Sequence, residues 1–167
     1  MRVEEGQVFF HCQYCNSYEF PNPNEDGVAL LEQLSPCPCP LCHEPLVSAV
    51  IKDIPILSCP HCRGNLIAQS KMLPILRQAP PPDPIVEEIP SPPNKTELTR
   101  TVVCPACQKV MAVYPYGGAG NVIIQGCEPC ELIWLDFGEL SKMLRSYHEI
   151  YDHSSDELGA KKKWIAF

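Results

Sequence analysis

Apolar residues recur along this chain in short β-prone runs bracketed by turn formers, and the arrangement comes twice. Leu46 to Ile51 makes one run, Lys52-Asp53 a turn, and Ile54 to Leu57 the return. Later, Val110 to Tyr114 goes out, Gly117 to Asn121 turns, and Val122 to Gln125 comes back. Each pattern predicts a β-hairpin. Spacing then changes to a helical period. Leu140, Met143, Leu144 and Tyr147 share one helical face, which predicts a helix to about Ile150.

The start of that helix has its own signature. Asp136 followed by Glu139 fits a capping box, and Leu135 with Leu140 fits a hydrophobic staple. The same two acids could be read as a catalytic pair, but their spacing matches a cap and the cap is the stronger reading. Trp134 is expected in the core, stapling the helix to the hairpin. Met72, Ile75 and Leu76 predict a shorter helix after the first hairpin, with Ser70 as its cap and Pro74 in its first turn.

The first 36 residues have no counterpart. Val8 to Phe10 and Tyr18 to Phe20 are expected as short strands around Cys12 and Cys15, Pro21 to Asp26 as a turn, and Val28 to Leu34 as a short helix. Between the two hairpin blocks, Ala79 to Pro84 and Pro90 to Asn94 are rich in proline, which excludes helix and central strand and predicts an extended spacer. The expected organisation is an N-terminal segment over 1–36, units at 37–78 and 100–151, a linker at 79–99 and a tail at 152–167.

Composition points to how such small units are held. The chain has 167 residues with 11 Cys and 19 Pro but only 8% aromatics, a poor basis for one large core. Small units of this kind need disulfide or metal staples. No secretory leader and no apolar run of spanning length is evident, so a cytoplasmic location without a membrane span is expected, where cysteine pairs read as metal ligands.

The cysteines frame both hairpins. Cys39-Pro40-Leu41-Cys42 and Cys59-Pro60-His61-Cys62 enclose 16 residues; Cys104-Pro105-Ala106-Cys107 and Cys127-Glu128-Pro129-Cys130 enclose 19. A Cys-x-x-Cys turn presents two sulfurs to one ion, and a second turn alongside completes the tetrahedron that zinc prefers. Cys62 to Ile67 aligns with Cys130 to Leu135, and Met72, Ile75 and Leu76 with Leu140, Met143 and Leu144. That similarity predicts an internal repeat. The fold class expected is therefore a small metal-stabilised α+β protein: tandem zinc ribbons, each a β-hairpin with two Cys-x-x-Cys knuckles followed by a short helix.

Metal ligands are expected at Cys39, Cys42, Cys59, Cys62, Cys104, Cys107, Cys127 and Cys130, giving two structural zinc ions. Cys12, Cys15 and Cys37, with His11 or His43, are candidates for a third site. A rival partition would pair Cys12 and Cys15 with Cys39 and Cys42, and a third option leaves Cys12 and Cys15 without metal. His61, His148 and His153 are not expected to be ligands. The Cys59-Pro60-His61-Cys62 motif also occurs in thiol oxidoreductases, but that chemistry needs a βαβ setting that the repeat leaves no room for.

Cys104-Pro105-x-Cys107, Cys127-x-x-Cys130 and Trp134-Leu135-Asp136-x-Gly138-Glu139-Leu140 resemble the transcription factor zinc-finger domain, a TFIIB-type zinc-ribbon family, over about residues 102–147. Residues 38–77 resemble a degenerate copy, with Leu66, Ile67 and Ala68 where the family has Trp, Leu and Asp. The resemblance implies zinc held by the eight cysteines. It does not by itself carry a transcriptional role.

Charge bears on partners. The formal net charge is −7, and two four-thiolate zinc sites would take it to about −11. That field opposes a nucleic-acid backbone. A non-enzymatic module that binds another protein is the first expectation. Nucleic-acid binding through Arg100, Lys109, Lys142 and Arg145, with Tyr114 and Tyr116 for stacking, is the second, and a thiol redox protein the third. Lys161 to Phe167 is too short a basic and apolar tip to anchor stably to a membrane.

Overall fold

The structure is a computed structural model that describes residues 10–11, 14, 18–19, 23–80, 95–116 and 122–156. Strands β1 (Phe10–His11) and β2 (Tyr18–Glu19) pair antiparallel, as the apolar segments around Cys12 and Cys15 suggest. Cys12, Cys15, the hairpin tip at 117–121, most of the proline-rich spacer and the Lys161–Phe167 tip lie outside the described residues.

Both predicted hairpins form. Strands β4 (Pro45–Ile51) and β5 (Ile54–Ser58) pair around the Lys52-Asp53 turn, where Lys52 takes the left-handed φ of 55° that a tight hairpin requires. Strands β7 (Ala112–Pro115) and β8 (Ile123–Cys127) pair in the second block. Each hairpin gains a third strand after its second cysteine pair, β6 (Asn65–Ala68) in the first block and β9 (Leu132–Leu135) in the second.

Those third strands pair with each other. β6 runs antiparallel to β9 with Leu66 opposite Trp134 and Ile67 opposite Ile133. This seam joins both blocks into one seven-stranded sheet that begins with β3 (Ala29–Pro38), in the order β3-β4-β5-β6-β9-β8-β7. β3 corrects the helix expected over Val28 to Leu34. The run Val28-Ala29-Leu30-Leu31 satisfies either period over so short a length. Pairing with β4 decides it, because a strand here completes the ladder while Leu34 stays exposed.

Alternation along the strands separates two apolar groups on opposite faces. One face carries Ala49, Ile56, Ile67, Ile133 and Leu135, covered by helix α1 (Gln69–Gln78) through Met72, Ile75 and Leu76 and by helix α3 (Glu139–Asp156) through Leu140, Met143 and Leu144. The other carries Leu46, Leu66 and Trp134 and packs with Val102, Met111 and the buried cysteines. A five-residue helix, α2 (Lys95–Thr99), leads from the spacer into the second block.

The helix starts differ from those expected. No side chain caps α1: Ser70 lies inside the helix, and Pro74 is beyond the first turn. The opening N–H of α1 is instead taken by a backbone carbonyl of the other block, with Gln69 donating to Glu131 at 2.7 Å. Half of the capping box is present at α3, where Glu139 Oε2 accepts the Asp136 N–H at 2.6 Å. The other half is replaced. Asp26, fully buried, accepts the N–H groups of Gly138 and Ser141, each at 3.0 Å. Asn24 holds Asp26 in place by accepting the N–H groups of Asp26 and Val28. The Asp136 carboxylate faces elsewhere, accepting from Trp134 Nε1 at 2.9 Å and pairing with Arg100 at 2.6 Å. Leu135 and Leu140, the pair expected to form the staple, are both buried in the helix-side cluster.

Candidate metal centres

The eight cysteines converge as two tetrads. Cys39, Cys42, Cys59 and Cys62 form one, and Cys104, Cys107, Cys127 and Cys130 the other; within each, all sulfurs lie within 4.8 Å of one another. In both tetrads the first cysteine of each pair is buried and the second half-buried.

Local backbone makes each knuckle. In the first, the Cys39 N–H donates to Glu44 O at 2.7 Å and the His43 N–H to Cys39 O at 3.1 Å. Cys59 repeats this with Gly64 and Arg63, and Cys104 with Lys109 and Gln108. Cys127 to Cys130 closes instead as a 3-10 turn over Glu128–Cys130. All four end alike, with the residue after the last cysteine left-handed: His43 (φ 62°), Arg63 (60°), Gln108 (60°) and Glu131 (51°). Left-handed φ is uncommon in residues with a side chain, so these positions are constrained by the knuckle around them. None is glycine, so the sequence offers no signal for them.

Sulfur geometry tests the fit of an ion. Cys39 and Cys62 are 3.6 Å apart, Cys42 and Cys59 3.4 Å, and Cys107 and Cys127 3.5 Å. A disulfide would need about 2.05 Å. A tetrahedral ion with sulfurs at 2.3 Å places them about 3.8 Å from one another. The tetrads match the second figure and are far from the first. Backbone N–H groups also point at the sulfurs, from Leu41 to Cys39 and from Cys62 to Cys59, each at 3.4 Å.

Crowding splits the thiols. At Cys42, burial raises the pKa, but the Glu44 N–H and the neighbouring sulfurs outweigh it and hold the thiol down to about 6. At Cys107 the Lys109 N–H leads, and the thiol falls to about 7. Their neighbours move the other way: burial pushes Cys39 up to about 11, and hydrogen bonding with Cys107 pushes Cys130 up to about 12. Four thiolates cannot share so small a volume alone, because each charge opposes the next. A divalent cation among them reverses that, since a coordinating thiol ionises outright. These are two four-cysteine sites that could hold metal ions.

Of the remaining candidates, Cys37 and His43 are described, and neither joins a cluster of metal-ligating groups among the described residues. Cys37 is half-buried against the apolar group that holds cysteines of both tetrads, and burial and the nearby Cys104 raise its thiol. His43 is exposed and serves as the left-handed residue of the first knuckle. Cys12, Cys15 and the side chain of His11 lie outside the described residues, and among those described the two tetrads are the only such clusters. Cys39 and Cys42 lie with Cys59 and Cys62, which is not the rival partition. His61 is exposed, and His148 Nε2 lies 2.9 Å from the Ala79 carbonyl.

Trp134 also departs from expectation. It is fully buried, yet it sits on the sheet face away from α3, among the cysteines and against Gly64 of the other block. Of the residues expected to meet nucleic acid, Arg100 pairs with Asp136, Tyr116 packs on the helix-side core, and Tyr114 lies over Gly126. Among the described residues, no helix is long and apolar enough to cross a membrane. Comparison with protein-family models, with curated proteins and with solved structures finds no match to the chain.

Proposed function

We propose that this protein is a non-enzymatic zinc module of tandem-ribbon type that binds another protein. The carrying observation is that each tetrad supplies four cysteine sulfurs to one point. Four protein ligands complete a tetrahedral shell and leave no position for water or substrate, the mark of a structural rather than a catalytic zinc. Each tetrad is framed by a hairpin, a third strand and a helix in the same order, which supports the repeat reading. The motif from Cys104 to Leu140 supports a zinc-ribbon relationship for the second block. The acidic charge and the engagement of Arg100 by Asp136 favour a protein partner over a nucleic acid.

Metal analysis of purified chain is expected to give two zinc ions, with the eight thiols unreactive until a chelator is added. Fewer ions, or thiols that cycle with a redox partner, would favour the oxidoreductase alternative. Crosslinking in extracts is expected to capture a protein with the zinc-loaded chain but not with Cys104→Ser. A gel shift at low salt that fades as salt rises would instead favour nucleic acid.

A further inference from the structure

The last cysteine of each tetrad is followed by a left-handed residue, and both of these residues reach into the other block. Cys62 leads into Arg63, whose guanidinium lies 3.5 Å from the centre of the Phe137 ring, just ahead of α3. Cys130 leads into Glu131, whose carbonyl accepts the Gln69 N–H that opens α1. The two contacts are reciprocal, each tying one metal site to the start of the opposite helix.

The ground between the sites is also shared. β6 starts three residues after Cys62 and β9 two residues after Cys130, and the two strands pair along their whole length. The buried sulfurs Cys39, Cys59, Cys104 and Cys127 lie in one apolar group with Leu66 and Trp134. Neither block can bury its third strand without the other, since β6 and β9 would each be left as an open edge. Metal binding and folding are coupled in small modules. Here the first ion must therefore order a seam that serves both sites.

We propose that the two tetrads load their ions as a coupled pair, the first ion raising the affinity of the second. The inference rests on reading the tetrads as metal sites. Ordering the seam is a cost met once, at the first binding step. The second tetrad then meets its ion already assembled, and by linkage the effect is the same whichever site fills first.

Native mass spectrometry of the full chain, stripped of metal under reducing conditions and titrated with zinc, tests this. A roughly tenfold coupling predicts that, at one ion per chain, about a quarter of the molecules carry a single ion, against about a half for independent equal sites. A single-ion fraction of a half or more overturns the coupling. Chains that retain no ion at any zinc concentration overturn the metal reading itself, a separate result. Phe137→Ala alters a side chain outside both tetrads and outside their knuckles. It is expected to keep two ions and to move the single-ion fraction toward a half; no change overturns the route through this contact. Cobalt titration supplies an independent readout through the thiolate absorption band, which is expected to rise with a sigmoidal onset.

Discussion

Gly64 lies under the indole of Trp134, so close that a β-carbon added to the glycine would stand 2.2 Å from Trp134 Cζ2. The two residues are 70 positions apart in the chain and belong to different cysteine blocks. Gly64 also provides the carbonyl that closes the Cys59 knuckle. One residue thus serves a cysteine tetrad and the joint between blocks. Gly64→Ala is expected to lose about 3 kcal/mol, the upper end for overpacking, because backbone and a fully buried indole leave little room to shift. Urea denaturation of the metal-loaded protein measures it. A loss under 0.5 kcal/mol would show that the seam can open to admit a methyl group.

Asp26 ties residues 23–28 to a helix more than a hundred positions later. Its carboxylate accepts two backbone N–H groups at the start of α3. Asp26→Ala is expected to cost about 1–2 kcal/mol, the scale of a lost N-cap, with part of the loss recovered in Asp26→Asn. Hydrogen exchange at Gly138 and Ser141 should accelerate in the alanine variant. Unchanged exchange at both amides would mean that Asp26 is not the cap in solution.

Asn65 offers a gain. It is fully buried in β6, and neither amide atom has a hydrogen-bond partner. A buried polar group without a partner costs about 1–3 kcal/mol, and an apolar side chain of the same shape removes the penalty. Asn65→Leu is therefore expected to stabilise the protein by about 1–2 kcal/mol in thermal denaturation, with metal content unchanged. Destabilisation would show that the amide is satisfied in solution, for instance by a buried water.

With zinc in the tetrads, as proposed, removing it should remove the fold. Structural zinc contributes on the order of 10–16 kcal/mol of apparent binding free energy in small modules, which exceeds the stability of most domains. A strong chelator under reducing conditions is expected to abolish circular dichroism from the sheet and amide protection along β6 and β9. Cys39→Ser and Cys127→Ser should each weaken metal retention. Persistence of the sheet after complete demetallation would overturn the structural role of the tetrads.

Short-range information was legible in the chain alone. The two hairpins, the two sulfur quartets and the burial of Leu135 and Leu140 follow from periods, turns and spacings a few residues long. Where local signals conflicted or were absent, tertiary structure decided. Val28 to Leu34 fits either helix or strand, and pairing with β4 makes it β3. Asp136 looks like a cap in sequence, yet its carboxylate is taken by Trp134 and Arg100 while Asp26 serves the helix. The burial of Trp134 was legible, but not the face it takes. The pairing of β6 with β9 left no trace in either strand, because an edge able to pair looks the same whatever partner it meets. Sequence period reports which side of a strand is apolar. It carries no information about which distant backbone will satisfy the open edge, and that choice made one sheet of two cysteine blocks.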